Sequence, residues 1–414
     1  MKIKLTTISI LASIIAMVIT GCSSDHIESE ETISGRLVIW EHSASFEEPL
    51  IRVIDGFQRK YPDVIVEYEI KSGNNYYDML NVAIQAGDAP DIFWTNGTAT
   101  SDMYDLVNLG VLYDLTEHID TSAILPEMLS ISMVNDRLYA IPWMTFDTRA
   151  CFYNKDHFEK MGLEVPQTFN DFETILAIIK ENRKVPISLG GMSSWSILFF
   201  FEPLLSAMEP DYSRELSDYQ TQVGDPRVGN VLRKALEWAD SGYFGDSFLN
   251  MSYDAKSRAF IQGDATMVIT GSWEVSAFSQ SNPNLNFGAF QIPSSSGNRG
   301  IVGTYANGFS IFKNTLSPEA AIAFLNYCAS LEAQAIWVQT LDAVSASPDI
   351  ESVNPIVGEI TDYDERFISW HSILRKHNNE GNDATDIWNE YSLKVFSRMI
   401  SIDDFLDKIN NATH

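Results

Sequence analysis

The chain has 414 residues, 45% of them apolar and 12% aromatic, and a formal charge of −28. That length exceeds one ordinary core, so two domains are the starting expectation, and the apolar content is enough to fill both. The acidity argues against nucleic acid and against a polybasic membrane-surface protein, since each selects for basic faces; it reads as solubility in a crowded or extracellular setting.

Lys2 and Lys4 precede an apolar run from Leu5 to Ile19 that ends in Ile19-Thr20-Gly21-Cys22. A run this short, closing on small residues, is expected to be an export signal over 1–21 rather than a spanning helix. Its ending resembles the lipobox of bacterial lipoproteins. In that family the cut falls before the cysteine, whose thiol takes a diacylglyceryl group. The resemblance implies a lipidated Cys22 (palmitate among the acyl chains) and a polar tether over 22–32. Two or more long acyl chains, at ~0.8 kcal/mol per buried CH₂, would hold such a protein to the membrane. Cys151 and Cys328 sit among apolar and aromatic neighbours and read as buried free thiols.

Arg36–Trp40 reads as a short apolar strand followed by the polar loop Glu41-His42-Ser43. Leu50, Ile51, Val53, Ile54 and Phe57 recur at helical spacing up to the stop at Tyr61-Pro62. Val64–Ile70 returns to strand, 75–85 to helix, and Ala86-Gly87-Asp88-Ala89-Pro90 is a turn before the buried run Ile92-Phe93-Trp94. This β-α-β-α-β alternation predicts an α/β fold, a sheet with helices on its faces. Arg137–Trp143 and Ala150–Lys155 are expected to be strands. Helices are predicted around 156–161, 170–182, 198–208, 226–240 and 252–262. Gly263–Trp273 repeats the physics of the first unit, with a turn, a buried strand and an emerging tryptophan. Further strands are expected at 286–293 and 309–312 and a helix over 318–331. A helical C-terminal quarter follows, with Ser401 as an N-cap over Asp404.

Several segments, in order, carry a resemblance. They are Phe57–Pro62 (F-Q-R-K-Y-P), Ala86–Phe93 (A-G-D-A-P-D-I-F), Leu138–Pro142 (L-Y-A-I-P), Phe152–Asp156 (F-Y-N-K-D), Gly263–Trp273 (G-x-A-x-M-x-x-x-G-x-W) and Glu319–Leu325. The chain resembles the extracellular solute-binding proteins of family 1, the sugar-binding components of ABC importers that include maltose-binding protein. The resemblance implies a two-lobe periplasmic-binding-protein-like (type II) fold with a hinge and an interlobe ligand cleft. It divides the chain into a first lobe of 33–146 plus 305–345 and a second of 148–303 plus 346–414. It implies a non-catalytic extracytoplasmic receptor, lipid-anchored to the bacterial cell membrane, that delivers a sugar or oligosaccharide to ABC permease subunits. A monomer is expected, with no cofactor, no metal and no nucleic-acid partner.

Trp94 and Trp273 are the leading ligand candidates, because a sugar's C–H face packs flat on an aromatic ring and its rim hydroxyls need polar neighbours such as Asn96. Asp147 lies where the family places an acidic ligand residue, and a carboxylate accepts well from adjacent hydroxyls. Trp143 and Trp195 are further stacking candidates. Glu41, His42, Asn307 and Trp370 complete the set. The same fold binding a non-sugar solute or serving a sensor is an alternative, and a secreted glycosidase a remoter one. No H-E-x-x-H, G-x-S-x-G, P-loop or clustered Cys/His set supports an enzyme.

Overall fold

The computed structural model describes residues 33–71, 75–99, 101–352, 354–376 and 384–413. The expected export signal, Cys22 and the tether lie outside the described residues.

Thirteen strands are described, in chain order β1 (Gly35–Glu41), β2 (Val64–Ile70), β3 (Ile92–Trp94), β4 (Met133–Val134), β5 (Arg137–Leu138), β6 (Ile141–Pro142), β7 (Phe146–Asn154), β8 (Val185–Ser188), β9 (Ala265–Gly271), β10 (Phe287–Phe290), β11 (Gly300–Tyr305), β12 (Gly308–Ile311) and β13 (Glu365–Ile368). One large sheet runs β2-β1-β3-β12-β6 and the other β13-β11-β7-β9-β8, with β10 also on β7, and β4 and β5 form a separate two-stranded sheet. In the first sheet β1 is parallel to β2 and β3, and β12 is antiparallel to β3 and β6.

The first sheet begins with the β-α-β-α-β run legible in the sequence. Helix Glu47–Lys60 buries Leu50, Val53, Ile54 and Phe57, carries Glu47 and Glu48 in its first turn and Arg59 and Lys60 in its last. That charge order suits the helix dipole, and the buried positions form one stripe. Helix Tyr76–Ala86 ends at Gly87, whose φ of 74° is the left-handed cap that glycine adopts without strain. Asp91 then pins the start of β3: one carboxylate oxygen accepts from the Val38 N–H at 2.8 Å and the other from the Thr315 hydroxyl at 2.5 Å. Helices Pro318–Ala329 and Leu331–Thr340 pack against Glu47–Lys60.

The second sheet is organised on β7, the longest strand at nine residues. β9 lies along 149–153, while β11 pairs with 146–148 and β10 with 151–154. Asn154 caps the next helix, Lys155–Met161, by accepting from the His157 N–H at 2.9 Å. Helix Ser194–Met208 is almost wholly buried beside this sheet.

Three segments pass between the sheets, and they lie side by side. The Ala306 N–H donates to the Thr145 carbonyl at 3.1 Å, the Phe146 N–H to that of Val344 at 2.8 Å, and the Ala346 N–H to that of Met144 at 3.0 Å.

Three expectations are corrected. The run 137–143 is two short strands in different sheets, β5 and β6, and Pro142 brings no N–H to the ladder. The predicted helix 318–331 stops at Ala329, and Ser330 caps a second helix by accepting from the Ala333 N–H at 3.3 Å. The C-terminal quarter contains a strand, β13, whose parallel pairing with β11 is a tertiary contact invisible to local pattern. Ser401 does cap over Asp404: the Asp404 N–H donates to its hydroxyl at 3.0 Å, and that hydroxyl donates to the Asp404 carboxylate at 2.7 Å. Cys151 and Cys328 are buried free thiols, in the cores of different sheets. Among the described residues no single helix is long and apolar enough to cross a membrane.

Candidate functional site

The carboxyl ends of β1 and β3 bring Glu41, His42, Trp94 and Asn96 together. Glu41 is fully buried. Its Oε1 accepts from His42 Nδ1 and from the His42 N–H, both at 2.7 Å, and from the Ser43 N–H at 3.3 Å. Its Oε2 has no partner among the described residues. With Nδ1–H committed to a carboxylate, a neutral imidazole keeps Nε2 as an acceptor. The His42 ring stacks on Trp94 at 4.6 Å and 25°, and Phe46 stacks on Trp94 at 5.3 Å.

Trp94 is therefore a support. It is 3% exposed, whereas the His42 side chain is 29% exposed. Tyr76 donates its hydroxyl to the Trp94 carbonyl at 3.0 Å, and the Tyr77 hydroxyl accepts from the Asn96 N–H at 2.7 Å. The Asn96 side-chain oxygen accepts from Trp94 Nε1 at 3.4 Å. Asn307 is buried beside Gly97, so close that a Cβ on that glycine would meet its Oδ1 at 2.2 Å.

On the other sheet the strand ends at Gly271, and Trp273 stands two residues later as the first cap of helix Glu274–Ser281. The indole folds back over Gly271, where a Cβ would meet the ring at 2.2 Å. Trp273 Nε1 donates to the Tyr253 hydroxyl at 3.1 Å, Phe199 packs edge-on at 5.1 Å, and the Arg149 guanidinium sits 5.1 Å from the ring centroid. The ring stays partly exposed. It packs against the cores of both sheets.

Arg149 is itself buried and held. Its Nε donates to Glu202 at 3.0 Å and its Nη1 to the Asp147 carbonyl at 3.1 Å, while Ser369 donates to the other Glu202 oxygen at 2.6 Å. A buried pair with this many hydrogen bonds fixes geometry even where its net contribution to stability is small.

Asp147 lies on β7 next to the crossing segments, opposite Thr304 of β11. Its carboxylate accepts from the Thr145 hydroxyl at 3.1 Å. It keeps some solvent access but is enclosed by protein, and this desolvation pushes its pKa up to about 6 against the pull of Arg149, the Thr145 bond and His42. Across the gap, helix Glu274–Ser281 approaches the turn Ala44–Phe46, and helix Trp370–Lys376 approaches the turn Gly97–Ala99. Glu41, His42, Trp94 and Asn96, with Asn307 beside the turn Gly97–Ala99, thus lie on the first-sheet side, and Trp273 reaches that sheet's core from the other.

Trp195, partly exposed, extends this wall: it packs on Phe199 at 5.7 Å and on His371 at 4.7 Å. Trp143 and Trp370 do not join it. Trp143 is fully buried and stacks flat on Trp337 at 4.0 Å and 1°. Trp370 is buried between Phe201 and Trp388. Both are core residues, with their faces occupied by other rings.

The residues that sequence reasoning missed are Tyr253, Arg149, Phe199 and His371. None belongs to a spacing motif. Only Arg149, a charge inside an apolar strand, carries a signal. Among the described residues no group of three His, Cys, Asp or Glu is placed to hold a metal.

The chain belongs to the bacterial extracellular solute-binding protein family, whose model matches residues 43–335. It is similar to the multiple sugar-binding protein of Streptococcus mutans, 22% identical over 78% of each chain. It also superimposes on a solved structure from work on xylan utilization by the thermophilic bacterium Caldanaerobius polysaccharolyticus, with TM-score 0.75, 19% identity and coverage of 91% and 99% of the two chains. The SBP RafE in complex with raffinose gives TM-score 0.72 and 20% identity over 92% and 99%. The fold is two-lobed and of the maltose-binding type. The family consists of receptors rather than enzymes, and membership places the chain outside the cytoplasm.

Proposed function

We propose that this chain is a receptor that closes its two lobes on a sugar or oligosaccharide and passes it to the transmembrane subunits of an ABC importer. The lobes are those built on the two sheets, 33–146 plus 305–345 and 148–303 plus 346–414, and the three hydrogen-bonded crossing segments are the hinge. A lipid on Cys22 would keep the receptor at the membrane. The observation that carries the reading is Trp273: an indole left partly exposed, braced by Tyr253, Phe199 and Arg149, and packed against the cores of both lobes. Such a ring offers a platform to a sugar's C–H face, while Asp147, Asn96, Asn307 and the His42 ring supply acceptors and donors for its hydroxyls.

Trp195 and His371 continue the second-lobe wall beyond Phe199. That second aromatic favours a ligand longer than one ring, in keeping with a relative named for multiple sugars and a structural neighbour that holds raffinose. Ligand contacts that exist only in the closed arrangement would shift the population towards it, so affinity and signal to the permease share one cause. Isothermal titration against raffinose and linear oligosaccharides tests this. Binding by wild-type protein that weakens at least tenfold in Trp273→Ala is expected; absence of binding across the panel, or unchanged affinity in the variant, overturns it.

A further inference from the structure

Beneath Trp273 lies a polar chain that the receptor reading leaves unused. Lys256, on helix Tyr253–Ile261, is fully buried in the second lobe. Its Nζ donates to Thr270 Oγ1 at 2.6 Å and lies 3.9 Å from the centre of the Tyr253 ring. Thr270 Oγ1 is 3.2 Å from the Tyr253 hydroxyl, which donates to Glu274 Oε1 at 2.7 Å and accepts from Trp273 Nε1 at 3.1 Å.

Proton counting gives this chain one direction. An ammonium and an indole N–H only donate, and a carboxylate only accepts. The Lys256 bond makes Thr270 Oγ1 an acceptor, and because Glu274 can only accept and so takes the Tyr253 proton, the threonine's own proton points to the Tyr253 oxygen. The phenol oxygen then accepts from both Thr270 and Trp273 and has no capacity left. No direct ion pair joins Lys256 to Glu274; the two buried charges meet only through Thr270 and Tyr253.

We propose that Lys256 is a positioning residue for the ligand platform: its ammonium, acting through Thr270 and Tyr253, fixes the orientation of the Trp273 indole. The proposal rests on the reading that Trp273 carries ligand. A buried charge without a direct counter-ion is costly, and one placed under the candidate platform makes that platform sensitive to the charge. The titratable and charged groups facing the amine are Tyr253 and Asp254 on its own helix and Glu274 on helix Glu274–Ser281; β9 brings the Thr270 hydroxyl to the amine, while Ser188 of β8 bonds the Lys256 carbonyl. Burial lowers the Lys256 pKa to about 8, with Glu274 and Asp254 opposing the shift. As pH rises through that value the ammonium becomes an amine, which also accepts, so the Lys256–Thr270 bond loses its charge and its fixed direction.

The test is the emission of Trp273, isolated as the difference between wild type and Trp273→Phe, followed from pH 6.5 to 9.5 without any saccharide. One transition near pH 8 is expected in wild type, lost in Lys256→Met and in Thr270→Val. The threonine variant keeps side-chain shape and decides the matter alone should Lys256→Met fail to fold. A flat wild-type difference spectrum, or a transition that persists in a folded variant, overturns the proposal. Since the readout involves no sugar, failure of the relay leaves the receptor reading standing. Failure of the receptor reading likewise leaves the relay measured.

Discussion

Trp94 and Trp273 come from the same kind of sequence, a glycine turn, a short buried strand and a tryptophan beside small polar residues, yet the fold uses them differently. Trp94 is the last residue of β3, still in the ladder with Phe309 of β12 directly opposite, and its side chain is buried under His42 and Phe46. Trp273 falls two residues past the end of β9 and caps a helix, and the bare Gly271 backbone gives its ring a floor to lie on. Register decides the role. One residue inside the ladder is buried, and two residues beyond it the ring is free to face the gap.

The two walls differ in their backing as well. The first-lobe wall is an aromatic stack braced by one buried carboxylate, Glu41. The second-lobe wall is held by charges, with Arg149–Glu202 over the indole ring and the Lys256–Thr270–Tyr253–Glu274 chain at its Nε1. Substitutions on the two sides should therefore separate stability from binding.

The largest effect is expected from Glu202→Leu, which strands the buried Arg149 and should cost about 3–5 kcal/mol of unfolding free energy, read in urea titrations. Trp94→Ala should cost a comparable ~3–5 kcal/mol because it empties a packed core site. Trp273→Ala should cost little stability, while binding falls by at least ~1.4 kcal/mol, a factor of ten. Equal stability losses in Trp94→Ala and Trp273→Ala would erase the contrast between the two walls. Gly271→Ala should resemble Trp273→Ala in calorimetry, because its Cβ would displace the ring.

A smaller effect is expected with pH. The folded pKa of Asp147, near 6, lies above its ordinary 3.8, so the folded chain holds an extra proton between those values and this group's contribution to stability declines as pH rises from 3.8 to 6. Ligand binding runs the other way. The ionised carboxylate is the better acceptor for sugar hydroxyls, so affinity should rise about threefold to tenfold from pH 5 to 7. The same titration with Asp147→Asn should be flat across that range; an unchanged pH profile would remove Asp147 from the ligand set.

Much of the fold is legible in the sequence. The opening β-α-β-α-β run could be read because each element is local, with its own stripe and its own stop, and the Ser401 cap because it is a three-residue device. The strand β13 could not, since four residues of ordinary composition become a strand only by lying beside β11. Nor could the fate of the tryptophans. Trp143 and Trp370 have neighbours much like those of Trp195, and only packing reveals that Trp337 covers one and Phe201 and Trp388 surround the other. Lys256 left one trace: it sits four residues before the buried Phe260, on the same helix face, where a lysine is unexpected.

The central claim is that Trp273 is the platform on which the two lobes close around a saccharide. Thermal unfolding of wild type and Trp273→Ala, each with raffinose and a series of linear di- to pentasaccharides, tests it most directly, because a ligand bound to the folded state raises the midpoint by mass action. At least one saccharide should raise the wild-type midpoint, and most of this rise should be lost in the variant. A panel that moves neither protein, or moves both equally, would contradict it.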